Sequence, residues 1–166
     1  FPEEGRYHYD GHRDCKISWD PEETKRHKGM CSVCGKPVTV GVMARIEELA
    51  DPKRKVGFKA SWGKPFNNFI AFDEIIGEAL GVGKASKAVW SEYGDALKHF
   101  GSEFKILIDA NESELKSGLS PAVAEGVIRM RQGKLHIEPG YDGEYGKIKV
   151  FEEAERNELE TQKSLF

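Results

Sequence analysis

The sequence predicts an α+β chain in which a small module pinned by side-chain ligands precedes a mostly helical region and a terminal β-hairpin. Three observations predict it. Two closely spaced ligand pairs, His12-x₂-Cys15 and Cys31-x₂-Cys34, stand on either side of a fifteen-residue spacer. From Asp73 to Gly133, capping residues and glycine stops bracket runs with apolar side chains at helical spacing. Residues 134–138 and 147–151 alternate apolar and polar on either side of a glycine-rich loop.

The ligand pairs come first in the chain. Two donors spaced by two residues can be presented to one ion by one tight knuckle, and two such knuckles complete a tetrahedral zinc shell. Gly35, next to the last cysteine, supplies the permissive backbone such a turn needs. Three cysteines cannot pair evenly as disulfides, and all three lie inside the pattern. His12, Cys15, Cys31 and Cys34 are therefore expected to hold one structural Zn²⁺. His8, Asp10 and Asp14 crowd the first knuckle, and His12 is selected by its spacing alone, with His8 and Asp10 the alternatives for the fourth place. A full Cys/His shell leaves no open position for water or substrate, so the ion serves the fold and not catalysis.

At 166 residues the chain is long enough for a true core. It has no apolar run long enough to span a membrane and no signal peptide. Cysteines kept as metal thiolates fit a reducing compartment, and the expected location is cytoplasmic, with the nucleoid. The net charge of −3 resides wholly in residues 152–166, where five glutamates oppose Arg156 and Lys163. The remaining body is neutral, so local patches and not overall charge must decide for or against nucleic acid. The chain begins at Phe1 without a methionine, as a piece of something longer would. The expected organisation is a metal-binding module over 1–52, a basic and aromatic connecting loop over 53–70, a helical domain over 71–133, a β-hairpin over 134–151 and an acidic flexible tail over 152–166.

Residues 6–9 read as a short strand entering the first knuckle. Asp20-Pro21-Glu22-Glu23 starts a helix: Asp20 caps it, Pro21 takes the first helical position and Glu23 closes a capping box, and the helix stops at Gly29. Residues 38–40 form a brief strand, and Gly41 to Ala50 a helix with Val42, Ile46 and Leu49 along one side. Residues 51–65 have no periodicity. They carry Lys53, Arg54, Lys55, Lys59 and Lys64 with Phe58 and Trp62 between them, a mixture that holds phosphates and stacks bases but is also that of a solvated linker.

Asp73 caps a helix to Leu80, with Ile75, Ile76 and Leu80 inward, and Ser86 caps a second running to about His99. Gly81-Val82-Gly83-Lys84 lies between them. Helix, Gly-hydrophobic-Gly, helix resembles the helix-hairpin-helix element, whose glycines let backbone N–H groups approach a DNA phosphate, with Lys84 or Lys87 adding charge. An ordinary glycine-capped helix pair has the same pattern. A Walker A loop is excluded: five residues separate Gly77 from Gly83, and Ala85 occupies the Ser/Thr position. Residues 103–108 are apolar but too short to assign. Asn111–Ser117 and Pro121–Arg131 are helices, the second stopped by Gly133. The loop Pro139–Gly146 holds three glycines with Tyr141 and Tyr145, either a binding surface with aromatic faces or a structural turn.

Taken together, residues 7–15, the run from Cys31-x₂-Cys34-Gly35 to Val42, and Pro139-Gly140-Tyr141-Asp142-Gly143-Glu144-Tyr145-Gly146 resemble endonuclease Q, a family often labelled UvrD-like helicase. The likeness covers most of residues 5–151. It implies a DNA-repair protein that nicks DNA beside a deaminated base such as uracil or hypoxanthine, with an N-terminal PHP nuclease domain upstream of a zinc domain and a helical region. The PHP metal ligands precede the matched region, so this segment is expected to grip DNA and not to cut it, with Tyr141 and Tyr145 as candidates for contact with the base. Gln162-Lys163-Ser164-Leu165-Phe166 resembles the bacterial sliding-clamp-binding peptide, with Gln162, Ser164, Leu165 and Phe166 at its specified positions. Two other classes compete. An enzyme in its own right would draw on acidic pairs such as Glu103 and Asp109 or Asp142 and Glu144, and a scaffold module would couple DNA to a clamp without chemistry.

Overall fold

The computed structural model describes residues 1–51, 57–152 and 155. The fold is α+β, and the chain divides into two units. The first comprises Phe1–Asn68 with Ile137–Ile148, and the second Phe69–His136 with the segment from Lys149.

In the first unit, strands β1 (Asp10–His12) and β2 (Ile17–Trp19) pair antiparallel, with Gly11 opposite Ser18. One 3₁₀ turn, Arg13–Cys15, joins them through Lys16 in the left-handed region. The first strand thus lies just beyond the 6–9 expected from sequence, because pairing with β2 and not the alternation of Arg6–Tyr9 defines it. Residues 38–40 do not form a strand of their own. Thr39 instead exchanges two backbone hydrogen bonds with Gly11, of 2.7 and 2.9 Å, as a single bridge.

Helix α1 (Pro21–Arg26) is capped by the Asp20 carboxylate, which accepts from the Glu23 N–H at 2.8 Å. The reciprocal half of the expected capping box is missing, since the Glu23 carboxylate turns to Arg26 and His27. Trp19 stacks on His27 with ring centroids 4.2 Å apart. Helix α2 (Val42–Leu49) begins at Gly41, whose N–H donates to the buried Asp10 carboxylate at 2.6 Å. Val42, Ile46 and Leu49 share one side of α2, but that side is exposed.

The Pro139–Gly146 loop belongs to this unit. Asp142 and Gly143 both have positive φ, as a two-residue Asp-Gly hairpin turn requires. Tyr141 and Glu144 close it by exchanging backbone hydrogen bonds. Gly140 and Gly146 meet the backbone of Glu3–Gly5 so closely that a Cβ on either would stand within 2.3 Å of a carbonyl oxygen, so only glycine fits.

The second unit is a helical bundle. It contains α3 (Phe72–Leu80), α4 (Lys87–Phe100), α5 (Glu112–Gly118) and α6 (Pro121–Arg131). Phe72, Ile75, Ile76, Val89, Ile106, Leu115, Val123, Val127 and Val150 are fully buried between them. Ser86 caps α4, and Asn111 closes a full capping box with Glu114. Helix α3 starts one residue before the expected Asp73, because the Glu103 carboxylate supplies its cap: it accepts from the Phe72 N–H at 2.9 Å and from the Tyr93 hydroxyl at 2.8 Å. The unassigned 103–108 stretch leads into a π-helical turn, Lys105–Asp109. Strands β3 (His136–Glu138) and β4 (Lys147–Lys149) pair with each other.

Candidate metal centre and binding surfaces

His12 ends β1, Cys15 closes the 3₁₀ turn after it, and Cys31 and Cys34 occupy the second knuckle. That knuckle is a tight turn: Gly35 N–H donates to Cys31 C=O at 2.9 Å, and Gly35 adopts positive φ. Thr39 ties the chain after the second knuckle back to Gly11, next to His12, so backbone pairing also holds the two ligand pairs together.

One donor atom from each of the four residues lies within 4.8 Å of the other three, with Cys34 Sγ 3.3 Å from His12 Nδ1. Tetrahedral Zn–S bonds of about 2.3 Å place sulfur atoms about 3.8 Å apart, so the donors stand at the right spacing for such an ion. Burial alone would raise the Cys31 thiol, but the Cys34 and Val33 N–H groups and His12 bring it down to about 6. Burial, then hydrogen bonding with Cys34 and Cys31, pushes Cys15 up to about 12. A divalent metal such as zinc would stabilise the thiolate forms of such a cluster. The alternatives for the fourth place stand apart from the cluster, Asp10 being buried with one oxygen on the Gly41 N–H and His8 lying beside the Tyr9 ring.

The other predicted site residues separate into several places. Lys53, Arg54 and Lys55 lie outside the described residues, as do Gln162, Ser164, Leu165 and Phe166. Lys59, Trp62 and Lys64 are exposed in the first unit, Trp62 at 81% and Phe66 beside them at 82%. In the second unit, Gly81 ends α3 in the left-handed conformation, and Gly83 lies in the turn to α4. Lys84 is held by Glu74 at 2.6 Å, while Lys87 opens α4 and makes no ion pair among the described residues. The N–H groups of Gly83 and Ala85 have no hydrogen-bond partner among the described residues.

Tyr141 and Tyr145 differ. The Tyr141 ring lies so close over Gly11 that a Cβ there would be 2.4 Å from it, whereas Tyr145 is 68% exposed. Asp142 accepts from the Arg13 N–H at 2.7 Å and from the Thr39 hydroxyl at 2.5 Å, tying the loop to the first knuckle. Burial would raise its carboxyl, but those donors and the nearby Arg13 charge hold it below its ordinary value. Asp142 joins residues more than a hundred positions apart, and no local signal in the sequence announces it.

Residues 72–134 match the family described as MJ0043 C-terminal domain. The crystal structure of a lesion-specific endonuclease from Pyrococcus furiosus, PfuEndoQ, aligns with a TM-score of 0.76 and 33% identity, covering 92% of this chain and 37% of that one. Endonuclease Q in complex with a 27-mer duplex substrate bearing an abasic lesion at the active site aligns with a TM-score of 0.71 and 33% identity, covering 93% of this chain and 38% of the other. The structural neighbours are endonuclease Q structures. Among curated proteins, the uncharacterized MJ0043 of Methanocaldococcus jannaschii is 36% identical over 89% of this chain, and the uncharacterized YqxK of Bacillus subtilis is 40% identical over 78% of it. The chain spans only 18% and 34% of those two proteins. No helix among the described residues is long and apolar enough to cross a membrane.

Proposed function

We propose that this chain is the zinc-bearing, DNA-gripping part of a longer repair endonuclease of the endonuclease Q kind. The observation that carries the reading is likeness along more than nine-tenths of the chain to a lesion-specific endonuclease and to an endonuclease Q–DNA complex. In this reading the parent protein nicks DNA beside a deaminated base, and the nicking residues belong to a PHP domain upstream.

Bound at His12, Cys15, Cys31 and Cys34, Zn²⁺ would supply four closed bonds that fix the two knuckles. The unpartnered N–H groups of Gly83 and Ala85, with Lys87 at the start of the fourteen-residue α4, suit a DNA phosphate. The glycine turn of Gly81 and Gly83 allows the backbone that approach, and Lys84 adds its charge through a side chain that Glu74 steadies. Lys53, Arg54, Lys55, Lys59 and Lys64 add contacts to the DNA backbone, and Trp62 a face for a base. Tyr141 and Tyr145 belong to the side that meets an extruded base. The acidic candidates for independent catalysis are otherwise engaged, Glu103 capping α3 and Asp142 pinning its loop. The tail motif Gln162, Ser164, Leu165 and Phe166 would dock the parent protein on a bacterial-type sliding clamp, and titration of such a clamp with the chain and with a Leu165→Ala, Phe166→Ala form tests this directly.

The experiment for the main reading is anisotropy with a labelled duplex containing one deoxyuridine. Replacing Lys53, Arg54 and Lys55 together by Ala should weaken binding and lower the log–log salt slope by up to about 2.7. A separate Lys87→Ala change should lower it by about 0.9. Neither form nor the parent chain should nick the duplex. Metal-dependent nicking would restore the independent-enzyme reading, and an unchanged slope in both variants would remove these residues from the interface.

A further inference from the structure

Strand β3 opens on His136, and both nitrogens of its ring face carboxylates from the segment that follows β4. Nδ1 lies 3.1 Å from a Glu152 oxygen, and Nε2 lies 3.3 Å from a Glu155 oxygen. A neutral imidazole carries a single N–H, so its other nitrogen would turn a lone pair on an anionic oxygen. Only the imidazolium, with an N–H on each nitrogen, suits both contacts at once.

The surroundings decide which group changes charge. Glu155 Oε2 also accepts from the Glu152 N–H at 2.8 Å, and its Oε1 accepts from Arg129 at 2.9 Å. The Glu152 N–H first, then Arg129 and His136, hold the Glu155 carboxyl below its ordinary value against the effect of burial, so it stays anionic at neutral pH. Arg129, on α6, is kept in place by Glu125 at 2.9 Å and by the Phe151 ring, 4.9 Å from the guanidinium carbon. From α3, the half-buried Glu78 carboxyl lies within electrostatic reach of His136 and of Lys149 on β4. Glu78, Glu152 and Glu155 thus face His136, with Arg129 and Lys149 as the cations on that side. Val150 and Phe151 are buried, and the Val150 N–H donates to Glu78 at 2.7 Å, so the chain is anchored up to the residue before Glu152. The Glu152 carboxylate itself has no partner but His136 among the described residues.

We propose that His136 is a proton-controlled latch on the segment that leaves the second unit. The charged ring fastens Glu152 and Glu155 beside α6. The neutral ring releases Glu152, while Glu155 stays on Arg129. Pairing with carboxylates favours the charged ring, so the closed form gains on acidification and is lost as pH rises. Histidine changes charge between about pH 5 and 8, and the latch closes at the acidic end of that range and opens at the alkaline end. Closed, it sets positive charge against two of the five glutamates in residues 152–166.

The test is amide hydrogen exchange of the full chain, read at the Glu152 N–H and corrected for the intrinsic pH dependence of exchange. Protection should fall about threefold between pH 5.5 and 8, the size of one exposed ion pair. His136→Gln, which takes no proton, should give the same low protection at both pH values. Glu152→Gln, at an exposed position that cannot disturb the core, should flatten the profile too. Glu78→Gln should retain the response, which separates the latch from titration of the neighbouring buried carboxyl. Equal protection at both pH values in the native chain would overturn the latch. A response that survives His136→Gln or Glu152→Gln, or disappears in Glu78→Gln, would overturn it as well.

Discussion

Cys34 is the most exposed of the four clustered ligands, yet its sulfur closes the set against His12. Cys34→Ser should leave well under half an equivalent of zinc in purified protein, with loss of ordered structure in the first unit, because binding energy is folding energy in such a module. Metal analysis with circular dichroism reads both; full metal content would contradict the assignment. The sign with pH follows from the thiols. Cys15 is raised to about 12, so metal binding at neutral pH must displace its proton, and acidification must therefore favour release. Glu78 offers an independent titration in the second unit. Burial raises its carboxyl, while its oxygen accepts from Val150 N–H at 2.7 Å. A carboxyl raised in the folded state holds its proton more tightly there, so stability falls as pH rises through the interval between the unfolded and folded values. Glu78→Gln keeps the acceptor and removes the charge. It should raise the urea midpoint at neutral pH and give no gain below about pH 4, where the native carboxyl is already protonated.

The π-helical turn at Lys105–Asp109 survives because one side chain from α6 serves it. Arg131 donates to the carbonyls of Leu107 and Ile106 at 3.0 and 2.5 Å, and to that of Ala110. Arg131→Met keeps the aliphatic stem but leaves these acceptors without their donor. It should cost roughly 2–4 kcal/mol in urea unfolding, and a loss within experimental error would show that water replaces the guanidinium. The dependence on Arg131 also explains why this element was not legible in the sequence: its defining partner lies more than twenty residues downstream. The helices were legible where their chemistry is local. Asp20, Ser86 and Asn111 cap within three residues, and Pro121 sets the start of α6. Residues 6–9 and 38–40 were misplaced as strands because pairing with distant backbone, not alternation, decides such short elements. Helix α2 shows the other limit. Its apolar periodicity identified the helix but could not tell that Val42, Ile46 and Leu49 would be exposed in this chain.

For the whole molecule, the clustering of His12, Cys15, Cys31 and Cys34 was legible because ligand spacing is a one-dimensional property. The position of the Tyr145 loop was not, since Asp142 reaches across the sequence to Arg13 and Thr39 and only folding reveals that. The acidic tail accounts for the whole net charge, so in the proposed reading the neutral body would bind DNA through local features, the turn before α4 and the basic loop. A few phosphate contacts, unsupported by net charge, imply modest affinity and strong sensitivity to salt. The most direct test is anisotropy of a labelled duplex titrated with the zinc-loaded chain across a range of salt concentrations. Log affinity should fall linearly with log salt at a slope between about −3.6 and −5.4, as displacement of counterions from roughly four to six phosphates requires. A flat salt dependence, or no binding at low salt by a chain carrying its full equivalent of zinc, would contradict the account.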